Sequence, residues 1–192
     1  MAEIVLFHHA QGLTTGIRDF AGALTRAGHT VHVPDLYEGR IFDTLDDGLG
    51  YAREAGFDRI LDRGRHAAEA LPAEVVYAGI SLGVMPAQLL AQTRPGTTGA
   101  LLVDACLPVE EFSPTWPDGV PVQVHGMDAD PFFAVEGDLD AARALVASAP
   151  QAELFLYPGD RHLFVDNSLD SYVPAAAELL TERVLTFLEP IK

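Results

Sequence analysis

The sequence has few positively charged side chains. Its 192 residues include 12 Lys and Arg against 28 Asp and Glu, which gives a formal net charge of −16 at pH 7. A surface of this sign repels the phosphates of nucleic acids and anionic lipid headgroups, so we expect neither nucleic acid nor a membrane as a partner. An anionic substrate would gain no long-range attraction and would need a local arginine to hold it.

Cysteine is also scarce, and long apolar runs are missing. Cys106 stands alone, which excludes an internal disulfide and fits a reducing compartment. The apolar start at residues 4–7 is short and has no basic flank, so it indicates a buried strand and not a signal peptide. No stretch approaches the roughly 18 apolar residues of a membrane span. We therefore expect a soluble, cytoplasmic protein.

Neither an internal repeat nor a low-complexity tract nor an interdomain linker interrupts the chain. With 192 residues, of which 48% are hydrophobic, the chain is long enough for one full core and too short for two comfortable ones. These features predict a single domain over residues 1–192. The oligomeric state stays open between a monomer and a homodimer.

Short apolar strands alternate with helical segments along the whole chain. Strands are predicted at 4–8, 30–33, 75–80, 99–103, 120–125 and 153–157, and the main helices at 16–27, 51–71, 84–93, 137–149 and 172–188. This alternation is typical of an α/β fold with a mostly parallel sheet and helices on both faces. In such folds the chemistry lies at the carboxyl ends of the strands.

The most specific motif is Gly79-Ile80-Ser81-Leu82-Gly83, which joins an apolar strand to an apolar helix. A nucleophilic serine at this place lies on a sharp turn, so the residues two before and two after it must be small. Both are glycines here. An ordinary turn between a strand and a helix in a doubly wound protein also often contains Gly and Ser. The residues that follow the other strands are therefore needed to distinguish a nucleophilic serine from such a turn.

Acids and a histidine follow the last two predicted strands. Asp128 and Asp130 come after the strand at 120–125, and His162 comes after the strand at 153–157. The order serine, aspartate, histidine is the one that α/β-hydrolases use, with the imidazole as base and the carboxylate orienting it. We predict Ser81, Asp130 and His162 as the catalytic residues, with Asp128 as the alternative acid.

The loop after the first strand is the expected second half of an oxyanion hole. One backbone N–H is predicted from Leu82 and the other from Ala10, with Gly12 allowing a tight turn. Adjacent His8 and His9 point to opposite faces of a strand, so we predict no metal site there. The loop lacks the spaced glycines of a dinucleotide site, and no cofactor is expected.

With these residues in place, the sequence resembles the α/β-hydrolase superfamily and is most similar to the dienelactone hydrolase family. The resemblance rests on the compact size without a cap insertion and on segments 34–39, 79–83, 126–131 and 158–164. It implies a six-stranded, mostly parallel sheet in the order 2-1-3-4-5-6 and hydrolysis of a small ester or lactone through an acyl-enzyme. The family has a cysteine at the place of Ser81 and a glutamate near the place of His9, so the dienelactone substrate itself does not carry over.

Substrate contacts are predicted on the same basis. Arg40 and Arg161 are candidates to hold a carboxylate, because the family binds the acid group of its substrate with arginines. Tyr37, Phe164 and His9 are further candidates at the site, and Trp116, Phe132 and Phe133 are aromatic side chains available for an apolar wall. A binding or regulatory protein with a vestigial triad is the alternative, although no member of the predicted triad is missing.

Overall fold

The computed structural model describes residues 1–191 and contains a six-stranded parallel sheet. The strands are β1 (Glu3–Phe7), β2 (Thr30–His32), β3 (Val76–Ile80), β4 (Gly99–Val103), β5 (Val122–Met127) and β6 (Ala152–Tyr157). Their order is β2-β1-β3-β4-β5-β6, and every neighbouring pair is parallel. The predicted order is therefore confirmed. The central strands β3 and β4 are buried along their whole length, as a sheet covered on both faces requires.

Six α-helices within residues 1–191 cover the two faces of the sheet: α1 (Thr15–Arg26), α2 (Leu45–Ala55), α3 (Phe57–Glu69), α4 (Val84–Thr93), α5 (Asp138–Ser148) and α6 (Pro174–Leu188). Side chains of β1 alternate between two hydrophobic clusters, because successive strand residues point to opposite faces. Ile4 and Leu6 pack with residues of α1 and α6. Val5 and Phe7 belong to the cluster that includes residues of α2, α3, α4 and α5.

The single helix predicted over residues 51–71 is wrong, because the structure has two helices there. α2 begins earlier, at Leu45, where the Thr44 side chain accepts a hydrogen bond from the Asp47 N–H at 3.2 Å. Gly56 then interrupts the helix with φ +91°, a conformation that glycine adopts easily and that no α-helix continues through. The prediction failed because helical spacing of apolar residues continues on both sides of this glycine.

The carboxyl ends of the strands meet at one edge of the sheet, and the loops that follow them form the floor of a shared site. Along residues 1–191 no connection between strands forms a separate cap over this edge. In the same part of the chain, no helix has both the length and the apolar character needed to cross a bilayer.

Candidate active site

Ser81 lies on a strained turn between β3 and α4. Its φ is +51°, and it opens a 3-10 turn over Ser81–Gly83. A Cβ on Gly79 would lie 2.2 Å from the Gly83 carbonyl oxygen, and one on Gly83 would lie 2.3 Å from the Phe7 carbonyl oxygen. Both positions therefore require glycine, as the motif predicts. Backbone strain of this kind costs about 1–3 kcal/mol and persists where the surrounding packing enforces it.

A chain of hydrogen bonds links Ser81 to His162 and Asp130. The Ser81 Oγ is 2.8 Å from His162 Nε2, and His162 Nδ1 is 2.7 Å from Asp130 Oδ2. Because Nδ1 donates its proton to the carboxylate, Nε2 is free to accept from the serine. Asp130 is fully buried, and its Oδ1 accepts the Phe132 N–H at 2.9 Å.

Asp128, the alternative acid, lies in a different environment. It is exposed, and its Oδ1 accepts the Gly159 N–H at 3.1 Å. This contact ties the loop after β5 to the loop after β6. The geometry therefore favours Asp130 as the carboxylate beside the histidine.

Two further acids surround His162, and the sequence did not single them out. One is Asp104, directly after β4, and the other is Asp138, the first residue of α5. Burial alone would lower the pKa of His162, but the hydrogen bond to Asp130 and the negative charges of Asp104, Asp130 and Asp138 raise it above its ordinary value of 6.5. The imidazolium form is thus stabilised where it would arise during proton transfer.

Asp138 also holds the buried Cys106. Its Oδ1 accepts the Cys106 N–H at 2.7 Å. Burial raises the pKa of the Cys106 thiol to about 12, and the nearby charge of Asp138 adds to this shift. The thiol remains protonated near neutral pH, so Cys106 has no character of a nucleophile.

The loop after β1 lies beside the Ser81 turn. Gly83 packs against the carbonyls of Phe7 and His8, and Gly12 turns the loop with φ +94°. Within residues 1–191 the Ala10 amide donates to no backbone acceptor. Gly48 of α2 packs so closely on this loop that a Cβ there would lie 1.9 Å from the Ala10 carbonyl oxygen. The loop is therefore held in place from two sides.

His9 anchors the same loop through a buried carboxylate. Its Nδ1 accepts the Gln11 N–H at 3.2 Å, so the Nε2 carries the proton that it donates to Asp166 Oδ2 at 2.8 Å. Thr14 donates to the same oxygen, and Ser168 donates to Oδ1. Burial opposes ionisation, but the hydrogen bonds from His9, Ser168 and Thr14 outweigh it and lower the pKa of Asp166 to about 2. Sequence reasoning missed Asp166.

Three predicted substrate contacts have no exposed surface, and this corrects their assignment. His9, Tyr37 and Phe164 are each 0% exposed. His9 binds Asp166, Tyr37 donates to the Gly48 carbonyl oxygen at 3.1 Å, and Phe164 packs on Tyr157. Their rings and polar atoms are used inside the protein, so they support the site and do not line an accessible pocket.

The two arginine candidates are exposed. Arg161 directly precedes His162 in the sequence. Its side chain is 61% exposed, and its Nε lies 3.7 Å from Asp160 Oδ1. Arg40 lies over the Tyr51 ring at 5.0 Å. Both remain predictions as contacts for a substrate carboxylate.

The aromatic side chains predicted to form an apolar wall lie in different parts of the protein. Phe132 packs on the His162 ring with 4.8 Å between ring centres, whereas Phe133 is buried beneath Gly126. Trp116 lines a cavity of about 810 Å³ between the 108–118 segment and α5. Neither this cavity nor one of about 490 Å³ beside β6 and α6 is lined by Ser81 or His162. Of this group, Phe132 is the side chain beside the reactive residues.

Metal binding at the site is limited by the existing hydrogen bonds. Ligand atoms of Asp104, Asp130 and His162 lie within 4.8 Å of one another. However, both ring nitrogens of His162 are already engaged, by Ser81 and by Asp130. A cation that bound His162 would have to displace one of these two hydrogen bonds. His8 is a separate structural residue: its Nδ1 donates to the His9 carbonyl and its Nε2 accepts the Leu36 N–H.

A parallel sheet of this order, with a strained serine between a strand and a helix, defines an α/β hydrolase. The chain belongs to the dienelactone hydrolase family, whose model matches residues 1–192. This confirms the resemblance that the sequence motifs indicate. A comparison with proteins of curated function returned no match.

Solved structures share the fold at low sequence identity. A dienelactone hydrolase from Anabaena variabilis is 16% identical with a TM-score of 0.71, and the alignment covers 99% of this chain and 87% of that one. A dienelactone hydrolase-like promiscuous phosphotriesterase from metagenomic libraries is 17% identical, with a TM-score of 0.69 and coverage of 100% and 87%. The butyrate-bound esterase 2 of Thermogutta terrifontis is 17% identical, with a TM-score of 0.63 and coverage of 99% and 83%.

Proposed function

We propose that the protein is a serine hydrolase that cleaves small carboxylic esters or lactones through an acyl-enzyme on Ser81. The observation that carries this proposal is the continuous hydrogen-bonded chain, 2.8 Å from Ser81 Oγ to His162 Nε2 and 2.7 Å from His162 Nδ1 to Asp130 Oδ2. This is the arrangement in which an imidazole removes the serine proton and a carboxylate stabilises the resulting imidazolium.

The reaction proceeds in two halves. The Ser81 Oγ attacks the carbonyl carbon while His162 Nε2 takes its proton, and the amides of Leu82 and Ala10 hold the negative oxygen. The imidazolium then returns the proton to the leaving alkoxide, which departs from an ester or stays attached to the acyl group of a lactone. Water, deprotonated by His162, attacks the acyl carbon of the acyl-enzyme. The bond from that carbon to Ser81 Oγ then breaks, His162 returns the proton to Oγ, and the acid is released.

We propose small substrates because few large apolar side chains stand beside the histidine to hold a long chain. Phe132 is the large side chain that packs on the histidine, and no cap covers the strand ends along residues 1–191. Arg161 and Arg40 are proposed contacts for a substrate that carries a carboxylate. The butyrate bound in the Thermogutta terrifontis esterase makes short acyl esters reasonable first probes.

Covalent labelling tests this proposal directly. A fluorophosphonate probe should modify the protein at one equivalent per chain, because the serine oxygen displaces fluoride from phosphorus. Mass spectrometry of a digest should locate the adduct on the peptide that contains Ser81. If the protein stays unlabelled while it binds a ligand tightly and saturably, it is a binding protein with a vestigial triad.

Activity should depend on pH through His162. Because the pKa of His162 is raised, the base becomes protonated at a pH above the ordinary histidine value, and kcat/KM should fall as the pH drops through that raised pKa. The measurement is the pH profile of kcat/KM for p-nitrophenyl acetate, followed at the isosbestic wavelength of the product. A profile that stays flat from acid to neutral pH contradicts the role of His162 as general base.

A further inference from the structure

Asp104 is a buried carboxylate that the reaction above does not use. It is 1% exposed, and its φ of +59° is one that residues other than glycine rarely adopt. Its Oδ2 accepts the Leu163 N–H at 3.0 Å, whereas its Oδ1 is buried without a hydrogen-bond partner among the described residues. A carboxylate oxygen buried in this way is costly, so its presence calls for an explanation.

The position of Asp104 relative to His162 supplies that explanation. Single ligand atoms of Asp104, Asp130 and His162 all lie within 4.8 Å of one another. A negative charge at this range favours the protonated form of an imidazole. β4 lies between β3 and β5, so the carboxyl end of β4 carries Asp104 to a place between the serine turn and Asp130.

Backbone strain is concentrated at the same place. Among residues 1–191, four residues other than glycine have positive φ, and three of them are Ser81, Asp104 and Leu163. Leu163 directly follows His162 and is the residue whose N–H Asp104 binds. Strained residues that hold one another in this manner cluster where a fixed geometry is needed for function.

We infer that Asp104 is a second carboxylate partner of His162, which positions the histidine loop through Leu163 and stabilises the imidazolium formed when Ser81 gives up its proton. The catalytic consequence rests on the proposed function, but the effect on His162 exists without any substrate. Because Asp104 does not touch the reacting atoms, it is a positioning residue.

The surrounding charges are consistent with this role. Burial raises the pKa of Asp104 to about 7; the positive charge of His162 opposes this shift and the negative charge of Asp130 adds to it. The ionisation of Asp104 and that of His162 therefore influence each other. The other titratable groups that face the pair are Asp138, beside His162, and Tyr157, beside Asp104.

The substitution Asp104→Asn separates charge from shape. Its amide oxygen can still accept the Leu163 N–H, while the negative charge is lost. NMR titration of the His162 ring should show a pKa lower by about one unit than in the wild type. The acid limb of kcat/KM should move to lower pH by the same amount, and the plateau kcat should fall about tenfold. Asp140→Asn is the control, because that carboxylate is 85% exposed in α5.

If His162 has the same pKa in Asp104→Asn as in the wild type, the inference is overturned, even if turnover falls. A purely structural role of Asp104 would leave this pKa unchanged. A shifted titration in a protein that hydrolyses no ester supports the inference and overturns the proposed function. If Asp104→Asn does not fold, carbon-13 NMR of the wild-type Asp carboxyls replaces it. The Asp104 carboxyl resonance should then respond to the protonation of His162, and a carboxyl resonance that does not respond to it overturns the inference.

Discussion

Replacing Ser81 by alanine is expected to lower kcat/KM for a short-chain p-nitrophenyl ester by a factor on the order of 10⁴ to 10⁶. The substitution removes the Oγ that lies 2.8 Å from His162 Nε2 and leaves the packing of Gly79 and Gly83 around the turn unchanged. The imidazole then has no serine proton to accept, and no acyl-enzyme forms. The measurement is the rate of p-nitrophenol release by purified protein, together with loss of fluorophosphonate labelling.

Ser148→Ala is the matched control. The Ser148 hydroxyl donates to the Leu145 carbonyl at 3.1 Å within the last turn of α5, so its loss should leave the rate at the wild-type level. Full labelling of Ser81→Ala at wild-type stoichiometry would show that another residue carries the nucleophile. Equal melting temperatures of the two variants would confirm that both are folded.

The second large effect is expected from Asp130→Asn, which should lower kcat by a factor between about 10² and 10⁴. The Phe132 N–H donates to Asp130 Oδ1, so an asparagine would keep its carbonyl oxygen there and turn its NH₂ group toward His162 Nδ1. The Nδ1 would have to accept, and the proton would move to Nε2, where it blocks removal of the serine proton. Asp104 still supplies a negative charge, so we expect the loss to lie toward the lower end of this range.

Asp128→Asn tests the alternative acid. Its carbonyl oxygen can still accept the Gly159 N–H, so kcat should change by less than about twofold, as is usual for an exposed substitution. Kinetics of both variants at a pH above the acid limb provide the comparison. A severe loss in Asp128→Asn with little loss in Asp130→Asn would reverse the assignment.

Much of the fold was predictable because its elements bury their residues in a simple way. Most strands are short apolar segments, and their alternation with helices favours parallel pairing. The break in the helix over residues 51–71 was not predictable from spacing, because it depends on the backbone angle of Gly56 and on the packing of α2 against the Ala10 loop. Tertiary contacts determine where such a helix ends, and the spacing of apolar residues carries no information about those contacts.

The candidate site, like the fold, could be predicted from the sequence only in part. Ser81, Asp130 and His162 could be selected because each follows its strand and their chemical roles are complementary. Asp104 also follows a strand directly, but its approach to His162 depends on its positive φ and on the hydrogen bond that it accepts from the Leu163 N–H. Asp166 could not be found, since its contact with His9 depends on how two loops fold toward each other. The buried aromatic and histidine candidates were misassigned because residue type does not reveal exposure.

The contact between His9 and Asp166 joins residues 157 positions apart, and it has a consequence for the order in which activity appears during folding. The Ser81 turn is complete once β3 pairs with β1, because Gly83 packs on the Phe7 carbonyl. His162 follows β6, which is the last strand of the chain and an edge of the sheet. Bringing together segments so far apart in the chain costs loop-closure entropy. In a chain in which β6 has not docked, Ser81 would lack the imidazole beside it. Under the proposed function, we therefore expect the recovery of turnover after refolding to report the docking of the final strand.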